Sequence, residues 1–471
     1  MFAQFDNSYT RLPARFFTRV SADAARAPRL LAFNDRLADR LGITERDPDR
    51  LARILSGQDV PTGADPIAQV YAGHQFGGFS PQLGDGRALL LGEVVAPDGA
   101  RFDLALKGSG RTPYSRAGDG KAWLGPVLRE YLLSEFMAAT GLPTTRALAA
   151  VATGEVVLRE RPLPGAILTR VAASHLRVGT FEYFAARRDR DGVGALYDHT
   201  RARHYPDVAT PFDLIDAVIG RQATLIARWL GLGFIHGVMN TDNTTLSGET
   251  IDYGPAAFME AYHVDTVYSS IDSFGRYAYG NQAQIIVWNM AQLASALLML
   301  EDDASAALPR WQALLNGMPA RIDAARMAVF GRKIGLADAT PDDAGLIDGL
   351  LAIMQRGQAD FTNTFRALAD DMNVRDHFLD PGLFDAFAPA WRARLASEAD
   401  PQAVMRIANP VLIPRNHRVE EAIQAAVTGD MAPFERLLAA VTDPFTDHTA
   451  HADLKIPASP ENAVTQTFCG T

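Results

Sequence analysis

Lys107 ends an apolar run, Asp103-Leu104-Ala105-Leu106-Lys107, and a Gly84-Asp85-Gly86-Arg87 turn lies just ahead of the apolar run before it. Glycines in such a turn let backbone amides approach a phosphate without interference from a Cβ, and a strand-end lysine brings a cation to the same place. A charge delivered there needs a partner. Glu130 and Glu135, on the helix expected next, both qualify, and spacing alone does not choose between them. Taken singly these features are ordinary: most Gly-Asp-Gly triplets are tight turns, and most strand-end lysines snorkel to solvent. No Rossmann fingerprint is present, because Leu89 stands where its third glycine would fall. Nor is Gly118-Asp119-Gly120-Lys121 a Walker loop, since Ser115 and Ala122 occupy positions that need Gly and Ser or Thr.

A second polar group follows farther along: His236-Gly237-Val238-Met239-Asn240-Thr241-Asp242-Asn243, then Ile251-Asp252-Tyr253-Gly254. Its histidine-to-asparagine spacing is that of the protein-kinase H-R-D-L-x-x-x-N loop, and Asp252-Tyr253-Gly254 resembles the metal-binding D-F-G. Both follow a glycine turn, a strand lysine and a helix glutamate in kinase order. Five parts in one order form a specific signal. One position departs from the pattern, because Val238 replaces the aspartate that would take a proton from a substrate hydroxyl. Asp242, four residues later and next to the metal-ligand candidate Asn243, is the nearby carboxylate able to act as general base. A base moved along the loop implies a different reacting phosphorus or a differently placed acceptor.

Further segments extend the likeness: Tyr71-Ala72-Gly73-His74-Gln75-Phe76-Gly77, Gln82 to Arg87, Lys107-Gly108-Ser109-Gly110, Thr112-Pro113-Tyr114-Ser115-Arg116, Gly118-Asp119-Gly120 and Ile251 to Pro255. On these the chain resembles, over nearly its whole length, the selenoprotein O family, also called the YdiU family, of kinase-fold protein adenylyltransferases. The resemblance implies an α+β, protein-kinase-like bilobal fold with a strand-rich N-lobe and a larger helical C-lobe. It implies ATP bound in inverted orientation, so that AMP moves to a Ser, Thr or Tyr hydroxyl of a protein substrate and pyrophosphate leaves. By motif position its nucleotide contacts fall on Gly84, Gly86, Arg87, Lys107, Asp119, Gly120, Arg170, Arg177 and Asp252. Its metal ligands fall on Asn243 and Asp252, its proton acceptor on Asp242, and the lysine's ion-pair partner on Glu130. The residue chemistry agrees, since guanidinium groups hold phosphate bidentately and Mg²⁺ or Mn²⁺ suits two hard oxygen ligands plus phosphate oxygens. Rival readings are UMP transfer from UTP with Mn²⁺, γ-phosphoryl transfer, and a pseudokinase scaffold that binds nucleotide without turnover.

That family carries a cysteine or selenocysteine near its C-terminus, which in some members pairs with a second cysteine after the D-Y-G segment. Cys469 is the one cysteine of this chain, and the corresponding stretch reads His263-Val264-Asp265-Thr266-Val267-Tyr268-Ser269-Ser270. An internal disulfide is excluded by count. A redox role through a free thiol, a mixed disulfide or an intermolecular bond stays open, beside an inert tail cysteine.

The elements that must position these residues are partly readable. Apolar runs at 88–95 and 102–106, separated by Pro97-Asp98-Gly99, predict a β-hairpin. A helix over 125–139 follows, with Pro126 in its first turn and Val127, Leu128, Tyr131, Leu132 and Phe136 facing inward. Strands are expected at 155–160, and at 166–171 where Arg170 ends the strand, flanking a turn at 162–165; Arg177 begins the crossing into the helical lobe. Leu30, Leu31, Phe33, Leu37 and Leu41 suggest an amphipathic helix in a lead-in arm. The charged stretch 185–208 reads as an exposed insertion, with His199 and His204 on its surface. Helices are expected over 213–232, 280–300, 307–314, 343–369 and 433–441, and Asn416 as the cap of another over 419–427. The domain expectation is an arm and strand-rich nucleotide-binding lobe over 1–175, a helical catalytic lobe over 176–440 and a tail over 441–471.

Composition narrows the class. With 471 residues, 48% hydrophobic and 21% charged, the chain has the balance of a globular protein able to bury a large core. A net charge of −10 argues against a protein that coats nucleic acid or an anionic membrane. Polar amides interrupt the uncharged stretch 277–300, which reads as a core helix rather than a bilayer span. A single thiol and no apolar leader point to the cytoplasm.

Overall fold

A computed structural model describes residues 2–370 and 373–468, so Cys469 lies outside the described residues. The strands are β1 (Phe17–Arg19), β2 (Arg29–Phe33), β3 (Ile67–Gln69), β4 (Gly73–Gln75), β5 (Gly78–Ser80), β6 (Ala88–Val95), β7 (Arg101–Lys107), β8 (Ala122–Trp123), β9 (Arg146–Leu158), β10 (Pro162–Ala172), β11 (Phe234–Ile235) and β12 (Ala257–Phe258). Eight of them form one antiparallel sheet in the order β1-β3-β6-β7-β10-β9-β2, with β8 attached to β10. The pairs β4–β5 and β11–β12 stand apart.

The hairpin expected around Pro97-Asp98-Gly99 is β6–β7. The second hairpin is longer than its apolar signal, because β9 begins at Arg146 and its turn precedes Pro162 instead of following it. Alanine disfavours strands, and Arg146-Ala147-Leu148-Ala149-Ala150-Val151 is rich in it. Both faces of β9 are covered, however, and small side chains suit a strand packed on two sides: Ala147 and Ala150 face one apolar core, Leu148 and Val151 the other.

The smaller core lies under α1 (Asp35–Arg40) and α2 (Pro48–Leu55), whose Leu37, Leu51 and Leu55 meet Leu104 and Leu106 of β7. Each such buried leucine contributes roughly 1.5–3 kcal/mol. The amphipathic helix expected from Leu30 is a correction. Leu30, Leu31 and Phe33 lie in β2 against β9, and the helix starts only after Asn34, whose side chain accepts from the Leu37 amide at 3.1 Å.

The larger core runs from the other sheet face through α3 (Leu124–Ala139), α4 (Val178–Ala186), α5 (Arg190–His204), α6 (Pro211–Gly231), α7 (Gln282–Leu297), α8 (Ala304–Lys333), α9 (Ala344–Arg356), α10 (Phe361–Asp370), α11 (Pro381–Leu395), α12 (Pro401–Ala408), α13 (Asn416–Val427) and α14 (Ala432–Val441). The stretch 185–208 is not an exposed insertion. It holds α5, with Val193, Leu196 and Thr200 buried at helical spacing, while burial pushes His199 down to about 4 and His204 to about 3. The helix expected over 343–369 is two, broken at Gly357-Gln358, where Gln358 has φ +49°. Residues 307–314 are part of the 30-residue α8. Asn416 opens α13 without capping it, because its Oδ1 accepts from buried Arg129 at 3.0 Å.

By length and composition Tyr279–Leu300 could cross a membrane. Here its helix α7 packs against α4, α6 and α8. The polar amides that interrupt it in the sequence are spent on backbone: Gln282 accepts from the His236 amide at 3.0 Å and donates to Phe234 O at 2.9 Å, and Asn289 donates to Met239 O at 3.0 Å.

Candidate active site

Register on the sheet delivers the first two cations. Leu168 stands opposite Lys107 and Arg170 opposite Ala105, so Lys107 and Arg170 are diagonal neighbours on one face, with small Ala105 leaving room between them. Glu130 on α3 accepts from Lys107 Nζ at 2.7 Å and from Arg170 Nε at 2.7 Å. That decides between the two glutamates. Glu135 is taken by Arg146 at 2.7 Å and by the Ala147 amide at 2.9 Å.

Asp252 enters the same cluster from the helical side. Its Oδ1 accepts from Lys107 Nζ and, at 2.7 Å, from Arg170 Nη2, and Arg177 Nη1 lies 3.5 Å from its Oδ2. Burial opposes its ionisation, but Arg170, Lys107, Arg177 and Arg87 outweigh that and hold the carboxyl well below the usual range. Burial likewise opposes Glu130, and Arg170 and Lys107 pull it down. Asp252 has φ +65°, a left-handed backbone that non-glycine residues seldom adopt and that its ion pairs hold in place. Counted by direct ion pairs the cluster has three cations and two carboxylates; buried Asp85 and Asp242 also face Arg177, whose guanidinium lies 4.7 Å from the Tyr71 ring centre.

Arg177 joins this cluster to the polar loop. Its Nη1 donates to the Asp242 carbonyl at 2.6 Å. Asp242 is buried, its Oδ2 accepts from Gln75 Nε2 at 3.1 Å, and its Oδ1 has no hydrogen-bond partner. Burial pushes its carboxyl up to about 6, with Arg177 and the Gln75 hydrogen bond opposing. Asn243 donates Nδ2 to Val238 O at 3.0 Å, which fixes the amide's orientation. His236 is a holder rather than a proton carrier. Its Nε2–H donates to Ile251 O at 2.8 Å, its ring stacks on Trp229, and burial lowers its pKa.

The chain is similar to known proteins along its length. A family model described as protein adenylyltransferase SelO matches residues 1–442. The chain belongs to the SelO family. A protein nucleotidyltransferase YdiU of Roseobacter denitrificans is 60% identical over 469 residues, covering 100% of this chain and 99% of the relative. Another, of Ruegeria pomeroyi, is 57% identical over 467 residues, and one of Rhodopseudomonas palustris 54% over 489, each covering 99% of both chains. As a SelO-family member the chain is an enzyme, a protein nucleotidyltransferase.

The other nucleotide-contact residues expected from the sequence lie around the end of β7. The Gly84–Arg87 turn is tied to the end of β7, where Gly108 N donates to Arg87 O at 2.6 Å. Its glycines are required by packing: Gly84 has φ +112°, and a Cβ at Gly84 or Gly86 would come within 2.6 Å of the Tyr114 ring or 2.8 Å of the Tyr114 carbonyl. The Asp119-Gly120 turn adjoins the same strand end through Gly110 N to Gly120 O at 3.1 Å, and Asp119 itself pairs with Arg159 at 2.8 Å. Among the described residues no three His, Cys, Asp or Glu side chains form a metal cage. The C-terminal stretch returns beside 255–270, with Thr467 donating to Pro255 O at 2.5 Å and to Tyr268 O at 2.7 Å.

Four residues around Asp242 had no assigned role in the sequence reading. His74, at the end of the Tyr71-Ala72-Gly73-His74 run, uses its amide on Thr241 Oγ1 at 2.7 Å and its Nδ1 on Glu182 at 2.5 Å, and Glu182 also accepts from the Thr241 hydroxyl. Gln75 reaches Asp242, as above, and Gly73 is needed because a Cβ there would lie 2.6 Å from Asp242 Oδ1. The β4–β5 hairpin is therefore seated on the 236–243 loop. The available signal was Glu182, a carboxylate inside the apolar run Val178 to Ala186 that has to be paired somewhere.

Proposed function

We propose that this enzyme transfers AMP from ATP to Ser, Thr or Tyr hydroxyls of other proteins, with release of pyrophosphate, on a protein-kinase-like bilobal scaffold. The strand-rich lobe is assigned to 1–175, the helical catalytic lobe to 176–440 and the tail to 441–471. The observation that carries the reading is the imbalance of the buried cluster, where Lys107, Arg170 and Arg177 exceed Glu130 and Asp252. Three cations that share two carboxylates have donors to spare for an anion, and guanidinium groups hold phosphate bidentately. Arg87, Gly84, Gly86, Asp119 and Gly120 are the remaining nucleotide contacts in this reading.

Asp252 is ionised and Asn243 presents an amide oxygen, a hard-oxygen pair that suits Mg²⁺ or Mn²⁺ when phosphate oxygens complete the shell. When bound, such an ion neutralises charge on the bridging oxygens of the leaving group. With phosphates against Lys107, Arg170 and Arg177, Asp252 and Asn243 would be the residues that hold the ion. The acceptor hydroxyl oxygen attacks the α-phosphorus, the bond from that phosphorus to the β-bridging oxygen breaks, and the hydroxyl proton passes to Asp242. Val238 has no group to receive it, whereas Asp242 has a buried oxygen without a partner and an affinity for protons raised by burial.

The family description names adenylyl transfer, while the relatives' names leave the base open. ATP labelled at the α- or the γ-phosphorus, incubated with the enzyme, Mg²⁺ and a protein mixture, tests the reading: label from the α position alone is expected, and label from the γ position alone overturns it. Stronger labelling from α-labelled UTP with Mn²⁺ would replace AMP by UMP. Protein substrates in the cytoplasm, with no nucleic acid or membrane partner, complete the reading.

A further inference from the structure

Next to the Asp242 loop, a cleft of about 520 Å³ opens between the tip of the β4–β5 hairpin and the segment 271–285. Its apolar walls are Phe76, Ile271, Phe274 and Ile285, and Phe274 is fully exposed. Ile271 is exposed as well, Phe76 partly so, and Ile285 is buried behind them; exposed apolar side chains around a concave surface mark a place where another chain binds. Phe76 is held there against its backbone preference. Its φ is +51°, and its amide donates to Tyr277 Oη at 3.0 Å and to Asn240 Oδ1 at 3.2 Å. The residue before it, Gln75, is the one bonded to Asp242. The cleft wall at Phe76 is thus one residue along the chain from the side chain bonded to Asp242, and its amide is bonded to Asn240 of the same loop.

Arg276 lines the same cleft. Its guanidinium lies 5.0 Å from the Trp288 ring centre and 5.7 Å from that of Tyr277, and its buried Nε has no hydrogen-bond partner. Asp272, the carboxylate in the lining, makes no direct ion pair with that guanidinium; its two oxygens accept from the backbone amides of Arg276 at 2.9 Å and Tyr277 at 2.8 Å. Stacking on aromatic faces holds a guanidinium in place while leaving its edge available for a bidentate carboxylate. Among the described residues Arg276 has no ion pair within 4 Å, so this guanidinium offers a local cation to a carboxylate on a partner segment.

We propose that this cleft is the acceptor-recognition groove, and that it takes a protein segment in which the reacting hydroxyl residue is flanked by a carboxylate, held by Arg276, and by a large apolar side chain seated against Phe76, Phe274 and Ile285. The inference rests on the proposed transfer to protein hydroxyls and adds the chemistry of the substrate segment. Arg276 acts as a specificity determinant and makes no contact with the reacting phosphorus.

The test uses the full-length enzyme, α-labelled ATP with Mg²⁺, and synthetic peptides of one length carrying a single Ser, Thr or Tyr. Flanking positions are set to Glu, Lys, Leu or Ala. Peptides with Glu and Leu neighbours are expected to be labelled about tenfold faster than Lys-flanked ones, with the difference in peptide KM. Arg276→Ala removes that preference, Arg276→Lys keeps most of it, and Arg276→Glu shifts it toward Lys-flanked peptides, a gain that an unfolded variant cannot produce. Labelling indifferent to the flanks, or an unchanged preference in Arg276→Glu, overturns the groove while leaving AMP transfer standing. Absence of α-label on every peptide and on whole-protein mixtures alike overturns the transfer reading, and the groove with it.

Discussion

Strand β7 carries two buried charges four residues apart, Asp103 and Lys107, and their surroundings differ in balance. Around Asp103 the charges close on one another. Glu93 stands directly opposite it across the β6–β7 ladder, a like-charge pair that would repel, and Arg203 from α5 reaches both, at 2.9 Å to Glu93 and 2.8 Å to Asp103. Arg101 pairs with Glu93 as well, and His175 donates its amide to Asp103 at 2.9 Å. Burial opposes the Asp103 charge, yet Arg203 and His175 hold the carboxyl below its usual range. Around Lys107 the charges do not close, since three cations meet two carboxylates. A cluster balanced in its direct ion pairs holds elements together, while one unbalanced in them keeps cationic donors for a ligand; Asp85 and Asp242 lie farther out, facing Arg177.

The contrast can be broken in several ways. Replacing Asp252 with Ala should lower transfer by about three orders of magnitude or more, measured as incorporation of α-label, because it removes a ligand and a partner of three cations. Near-normal activity would show that the unbalanced cluster is not the reaction centre. Replacing Arg203 with Ala should cost about 3–5 kcal/mol in urea unfolding, since it leaves two carboxylates buried face to face. A loss below about 1 kcal/mol would mean that the balanced cluster is incidental.

A third case sharpens the comparison. Lys333 on α8 has no carboxylate partner among the described residues; it meets Asn409 Oδ1 at 2.7 Å and the rings of Phe365 and Phe361 at 4.3 and 5.3 Å, and burial pushes it down to about 7. Below that pH it is charged in both folded and unfolded chains. Above it the unfolded chain binds the extra proton, so stability should rise by up to about 1.4 kcal/mol per pH unit between roughly 7 and 10. Unfolding of Lys333→Met beside the parent should show this slope missing in the variant; parallel slopes would refute the assignment. The smallest effect is expected at Gln75. Its change to Ala should reduce transfer by about three- to tenfold, by releasing Asp242 from one hydrogen bond, with the urea midpoint unmoved.

Legibility followed the range of the signal. The β6–β7 hairpin, α3 and the order of the chemical motifs were readable because each is written within ten or so neighbouring residues. The stretch 185–208 was misread because its charges are frequent and its apolar face is narrow, although Val193, Leu196 and Thr200 already stood at helical intervals. Arg203 could not be recognised as the closure for Glu93 and Asp103, which lie about a hundred residues away. His74 and Gln75 were seen as a motif and left without a task for the same reason, their partners being 108 and 167 residues along the chain.

The sequence by itself determined the chemical inventory: which cations, carboxylates and amides are present, in what order, and on which kind of local element. It also determined that Val238 cannot accept a proton. Only the tertiary structure decided that Glu130 rather than Glu135 holds Lys107, and that Arg177 bridges Asp242 and Asp252. It alone distinguished the cluster whose direct ion pairs match from the one in which three cations share two carboxylates. The reason is physical: hydrophobic periodicity acts between near neighbours in the chain, whereas the strength of a buried charge pair depends on a distance of a few ångströms set by elements far apart in sequence.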